Sequence, residues 1–184
     1  MYSDMDYITP VRIPLTEDDL HYSVWLGKFR WKPFRYAKKR GIEGDTKNSR
    51  NFFENKAPWY RSFIGACGEK AYSKFSNWPI IETTWNDGRS FEDGSDFPNG
   101  FNVKASEINN MPNLLIPVDQ WDRHKPKGYI LAWVRLRERE CFLLGQALRT
   151  LVDEKKIYLK KGERKMKVDT YWTDREYLSI ADLF

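Results

Sequence analysis

The clearest periodicity in the chain is the four-residue recurrence Phe63, Cys67, Ala71 and Phe75, with Ile64 beside it, a spacing that lines one face of a helix. Pro58 suits a first helical turn, so the pattern predicts a helix over 58–76. An earlier start is marked by Thr16 as cap, followed by Glu17, Asp18 and Asp19 at the positive end of the helix dipole. Leu20, Val24 and Trp25 continue that helix over 17–27. From Lys28 to Lys56 aromatic and basic residues interleave without a sustained period, and the segment reads as an irregular arm with a helical turn at 33–40.

Strand patterns dominate the middle of the chain. Pro79–Trp85 and Phe101–Ala105 read as strands, separated by turns at Asn86-Asp87-Gly88 and Pro98-Asn99-Gly100. Leu114–Val118 and Tyr129–Leu136 are nearly unbroken apolar runs of strand formers, as expected of central strands. Cys141–Ala147 reads as a strand entering a turn, 147–155 as a short helix, and Ile157–Trp172 as a polar hairpin. The apolar spacing of Leu178, Ile180 and Leu183 is suited to docking the tail on the core. This order predicts an α/β protein with a central mixed β-sheet flanked by helices.

The 184 residues suit one compact domain, with an N-terminal helix and basic arm over 1–57 and a core over 58–184. Hydrophobic residues make up 41% and charged residues 31%, enough apolar material for the chain to fold rather than stay disordered. No run approaches the roughly 18 apolar residues of a membrane helix, and Met1–Asp6 lacks the features of a signal peptide, so we expect a soluble cytoplasmic protein without a membrane partner. Cys67, Cys141, His21 and His124 are too scattered for a disulfide framework or a zinc cluster, which leaves oxygen ligands for any metal. Cys67 falls on the apolar helix face, as a buried thiol. The eight tryptophans, taken singly, read as core or ring-packing residues.

The net charge of +5 favours polyanionic partners. It is uneven: Lys28–Arg61 and Arg149–Lys167 are strongly basic, whereas Glu82–Asp96 carries Glu82, Asp87, Glu92, Asp93 and Asp96 against Arg89 alone. Cationic walls around an anionic centre neutralise phosphates while the acids collect a divalent cation; the plainer reading is solvated surface. In the first segment Arg30, Trp31, Arg35, Lys38, Lys39 and Arg40 combine cations with an aromatic ring suited to strand stacking.

Phosphate-loop, dinucleotide, zinc-protease and nucleophile-elbow motifs are absent. What remains is carboxylates and a lysine. Asp96 precedes the Pro-Asn-Gly turn, Asn102 and Lys104 share one face of the following strand, and Glu69, close to Gly65 and Gly68 on the helix, is placed to project at the same point. Such oxygens suit Mg²⁺ or Mn²⁺, and a nearby ammonium suits the charge that develops on a phosphorane. The structural alternatives are a surface glutamate, a turn aspartate and an exposed strand lysine.

The run Gly65-Ala66-Cys67-Gly68-Glu69-Lys70-Ala71, then Asp96, Val103-Lys104-Ala105-Ser106, Tyr129–Val134 and Gly145-Gln146-Ala147 resembles the PD-(D/E)XK, or restriction-endonuclease-like, nuclease superfamily over about residues 58–184. The resemblance implies a restriction-endonuclease-like fold and metal-dependent cleavage of phosphodiester bonds, usually in DNA, with Mg²⁺ or Mn²⁺ as cofactor. By position it makes Glu69 and Asp96 metal ligands and Lys104 the catalytic lysine. Asn102 stands where the family usually has an acid, with Glu92, Asp93 and Glu107 as nearby substitutes. The reading of a small nuclease suits a phage or mobile-element protein and admits a homodimer. The competing reading is a nuclease-fold protein that has lost a ligand and binds nucleic acid or protein without cutting.

Overall fold

The computed structural model describes residues 9–39, 56–80, 94–166, 168–180 and 183. In chain order its elements are β1 (Val11–Pro14), α1 (Glu17–Lys39), α2 (Tyr60–Ser76), β2 (Phe101–Ser106), β3 (Leu114–Pro117), α3 (Val118–Arg123), β4 (Gly128–Arg135), β5 (Glu140–Leu148), α4 (Arg149–Lys155), β6 (Ile157–Leu159) and β7 (Thr170–Thr173). One sheet has the order β1-β5-β4-β2, and a smaller one the order β3-β7-β6. In the first, β2 runs parallel to β4 while β5 is antiparallel to both β4 and β1. The protein is therefore α/β, with a mixed sheet flanked by helices.

The apolar run of β4 is explained by burial on both faces. Ile130, Ala132 and Val134 join Phe63, Ile64, Cys67 and Ala71 of α2 in one core. Tyr129, Leu131 and Trp133 join Leu114, Ile116, Trp121 and Val152 in a second core on the other face. Gly68 lets α2 lie close to the sheet, since a Cβ there would sit 2.6 Å from the Ala105 Cβ and 3.2 Å from that of Ala132.

Helix α1 starts as expected, with the Thr16 hydroxyl accepting from the Asp19 N–H at 3.2 Å and the Asp19 carboxylate accepting from the Thr16 N–H at 2.9 Å, a reciprocal cap. It does not end near residue 27, however, but continues through Pro33 to Lys39. Its middle, around Gly27 and Lys28, packs on α2. A Cβ on Gly27 would lie 2.7 Å from the Phe63 nitrogen, and the Lys28 ammonium lies 5.0 Å from the Trp59 ring, so α1 runs closely along α2.

Other expectations need correction. β3 is not central: it is an edge of the smaller sheet, with Leu114 and Ile116 buried and Leu115 exposed. The turn expected at the end of Cys141–Ala147 is a bulge instead, where the register passes from Ala132↔Leu143 to Leu131↔Gly145. The strand then continues, and Gln146 bridges to Ser179, docking the tail. Trp25 and Trp78 are exposed at 47% and 41%; Trp25 is a ring-packing residue, stacked on Phe29 with centroids 5.3 Å apart, and Trp78 is not in the core. The expected strand residues 81–85, Trp85 and the turn at 86–88 lie outside the described residues. No helix among the described residues is long and apolar enough to cross a membrane.

Candidate active site

Asp96 is set by the turn that the sequence marks. Gly100 N–H donates to the Phe97 carbonyl at 2.9 Å, with Gly100 at φ 86°, so Pro98 and Asn99 occupy the central positions that suit them. The turn folds Asp96 back onto β2: its N–H donates to the Phe101 carbonyl at 2.9 Å, and its Oδ2 accepts from the Val103 N–H at 2.7 Å. That amide is available because β2 pairs only with β4 among the described strands, leaving its other edge unpaired.

Glu69 reaches the same place from α2. Its side chain is 5% exposed and both carboxylate oxygens accept from Arg30, at 2.5 and 2.8 Å, the forked geometry that an arginine and a carboxylate share. Phe101 and Val103 face α2 in the core, so the alternation of the strand sends Asn102 and Lys104 the other way. Lys104 Nζ donates to Gln120 Oε1 of α3 at 3.0 Å. Glu69 and Lys104 therefore come from opposite faces of β2, and both act electrostatically on Asp96 at the edge of that strand, rather than lying on one face as the strand pattern alone implies.

The electrostatics record this meeting. Burial, reinforced by the negative charge of Glu69, pushes the Asp96 carboxyl well above the usual carboxylate range, against the pull of Arg30, Lys104 and the Val103 amide. Burial also depresses the Lys104 ammonium, opposed by Asp96, Glu69 and Asp119. Arg30 stays charged: burial works against it, and the attraction of Glu69 more than offsets that. Two cations and two acids thus share one crowded recess, and Asp96, Asn102 and Lys104 keep part of their surface open to solvent.

Asn102 supplies a further oxygen. Its amide nitrogen donates to the Gly94 carbonyl at 2.9 Å, while its Oδ1 is buried without a hydrogen-bond partner, a state that costs roughly 1–3 kcal/mol unless something uses the lone pairs. Among the described residues no group of three or more His, Cys, Asp and Glu is placed to hold a metal. The candidate oxygens are those of Asp96 and Glu69, which act on each other, and Asn102 Oδ1 on the Lys104 face of β2. Two carboxylates and an amide oxygen fit Mg²⁺, which keeps several waters and needs few protein ligands.

Other expected residues are elsewhere. Glu107 accepts from the Tyr60 hydroxyl at 2.5 Å and from Lys56 at 3.1 Å, so it does not substitute for an acid at position 102; Glu92 and Asp93 lie outside the described residues. Arg30 faces inward to Glu69 instead of forming an outer cationic wall. Arg35, Lys38 and Lys39 fall on the second half of α1, and Arg40 lies outside the described residues. In the later basic segment Arg149 also turns inward, with its guanidinium 3.6 Å from the Trp121 ring and bonded to the His124 carbonyl at 2.7 Å. Lys155, Lys160, Lys161 and Arg164 stay exposed.

Two members of the site escape a reading of the sequence. Gln120 carries no signal, being one polar residue of a short helix. Arg30 has a faint one: Ser23, Gly27 and Arg30 recur at helical spacing, the face by which α1 meets α2. An open groove of about 610 Å³, which none of the charged residues above lines, runs between the end of α2 and the start of β2, lined by residues including Tyr72, Phe75, Trp78, Asn99 and Lys127.

No family model, curated protein or solved structure matches the chain.

Proposed function

We propose that this protein is a divalent-cation-dependent nuclease of restriction-endonuclease-like fold that hydrolyses phosphodiester bonds in DNA. The observation that carries the reading is the electrostatic convergence of Glu69, Asp96 and Lys104 at the edge of β2, a strand that also carries a buried amide oxygen, Asn102 Oδ1, without a partner. A fold alone has little reason to gather these charges where burial penalises them.

In this reading Asp96 and Glu69, with Asn102 Oδ1, hold Mg²⁺ or Mn²⁺. When bound, such an ion would supply Lewis-acid chemistry toward the phosphate and an attacking water. Lys104, steadied by Gln120, faces the charge that builds on the phosphorus oxygens. Water adds to phosphorus, the P–O bond to one ribose oxygen breaks, and that oxygen takes up a proton as it leaves. The groove at the end of α2 places Trp78, Phe75 and Lys127 together, the kind of surface along which a nucleic-acid strand stacks.

A second reading has its own observations. Asn102 brings no charge, and both oxygens of Glu69 are engaged by Arg30, as in a fold that binds without cutting. Incubation of the full chain with plasmid and with single-stranded DNA in Mg²⁺ or Mn²⁺ separates the two. Cation-dependent cleavage that stops with EDTA supports the nuclease. Salt-sensitive binding without cleavage in either metal supports the binder.

A further inference from the structure

We propose that Arg30 is a phosphate-binding residue of this site, held in reserve by Glu69 and released to the substrate phosphodiester when a cation takes the glutamate. The proposal rests on the nuclease reading and adds to it a residue from the N-terminal helix.

Three observations lead there. Both oxygens of Glu69 accept from Arg30, and the two side chains are only 5% and 13% exposed, so the lone pairs that face Arg30 are taken and its positive charge opposes a cation at Glu69 until the guanidinium moves. The helices themselves leave little room for retreat, because Gly27, three residues before Arg30, sits against the backbone of Phe63. Arg30 therefore has to change partner by side-chain movement alone. Finally, Arg30 and Lys104 already set two cationic groups beside Glu69 and Asp96. A divalent cation entering by itself leaves the recess with excess positive charge, whereas a cation arriving with a phosphodiester brings an anion.

The chemistry names that anion. A phosphodiester presents two charged oxygens with nearly the fork that a carboxylate presents, and a guanidinium matches either one by two parallel N–H bonds. Exchange of Glu69 for a phosphate oxygen pair lets Arg30 keep its hydrogen bonds while Glu69 turns to the cation. Cation and DNA then strengthen each other's binding, a coupling that is necessarily reciprocal.

The test measures Ca²⁺ affinity of the full chain by calorimetry, alone and with a saturating short DNA duplex, Ca²⁺ being a probe with the same preference for oxygen ligands. For the wild type we expect weak binding alone and a gain of about tenfold or more with DNA, within the usual range of such couplings. In Arg30→Gln the affinity without DNA should rise about tenfold and the gain with DNA should collapse. Loss of one positive charge by itself raises the first value and leaves the gain in place, which would overturn the proposal. Arg30→Lys keeps the charge and loses the fork, so its affinity without DNA should stay near the wild type while the gain falls severalfold; an unchanged gain would also overturn it. Absence of Ca²⁺ and Mg²⁺ binding by the wild type, with or without DNA, defeats the nuclease reading and this inference together. A wild type that shows the gain, beside an Arg30→Gln variant that shows it equally, defeats this inference alone.

Discussion

At the scale of single residues, the most informative side chain is Asn102, whose Oδ1 is buried without a partner. A carboxylate there adds the charge that a cation site favours, but adds it to a recess already holding Glu69 and Asp96. Asn102→Asp should therefore lower thermal stability without a divalent cation and show a larger upward shift in Tm on addition of Mg²⁺ than the wild type, because ligand bound only to the folded state stabilises it. Equal shifts in both proteins would remove Asn102 from the ligand set. Lys104→Ala should abolish cleavage with the fold intact, since it removes one member of a contact with Gln120 on a partly open surface. Glu69→Ala is a harsher change: it leaves the Arg30 guanidinium buried without its partner, a loss on the order of 3 kcal/mol, to be read from urea denaturation. Glu69→Gln is the gentler probe of cleavage.

At the scale of elements, the two glycines of α2 differ. Helical periodicity marks both as costly, about 1 kcal/mol each against alanine, without saying which one is needed. A Cβ at Gly68 would lie 2.6 Å from the Ala105 Cβ, whereas a Cβ at Gly65 meets nothing within 4 Å. Gly65→Ala should thus stabilise the protein by about 0.5–1 kcal/mol, and Gly68→Ala should destabilise it by about 1–3 kcal/mol through overpacking; denaturation midpoints check both. The start of α1 supplies a pH prediction. Burial opposes the charge of Asp19, but hydrogen bonds from Lys74 at 2.6 Å and from Thr16 outweigh it and hold the carboxyl below its ordinary 3.8. A depressed folded pKa means stability that is complete above that ordinary value and lost as pH falls through the lower folded value. The stability difference between wild type and Asp19→Asn should be level from neutral pH to about pH 5 and shrink below about pH 4. The same helix shows where sequence patterns stop being informative. Its cap is local and legible in Thr16 and Asp19, but its contacts at Gly27 and Arg30 are with Phe63 and Glu69 of α2, residues far along the chain. β2, β4 and α4 were legible because alternation, an unbroken apolar run and a short polar helix are local signals. The edge position of β3 was not, since an apolar run looks the same in an edge strand packed on a core.

At the scale of the whole molecule, two cores on opposite faces of β4 fix α2 and α3 on either side of β2, and Glu69 and Lys104 act on Asp96 from those two sides. The residue types of the site were readable from sequence order: Glu69 on a helix, Asp96 before a turn, Lys104 on a strand. Their approach from opposite faces was not readable, because it depends on Asp96 folding back to the Val103 amide across the edge. Arg30 was assigned to an outer basic arm for the same reason: a sequence shows a cation, and only the packing of α1 on α2 shows which way it faces. A crystal grown with Mn²⁺ tests the central claim most directly, by its anomalous density. A peak at coordination distance from Asp96 and Glu69, beside Asn102 Oδ1, is the predicted result; a site saturated with Mn²⁺ elsewhere, with these carboxylates bare and Glu69 still forked onto Arg30, would contradict it.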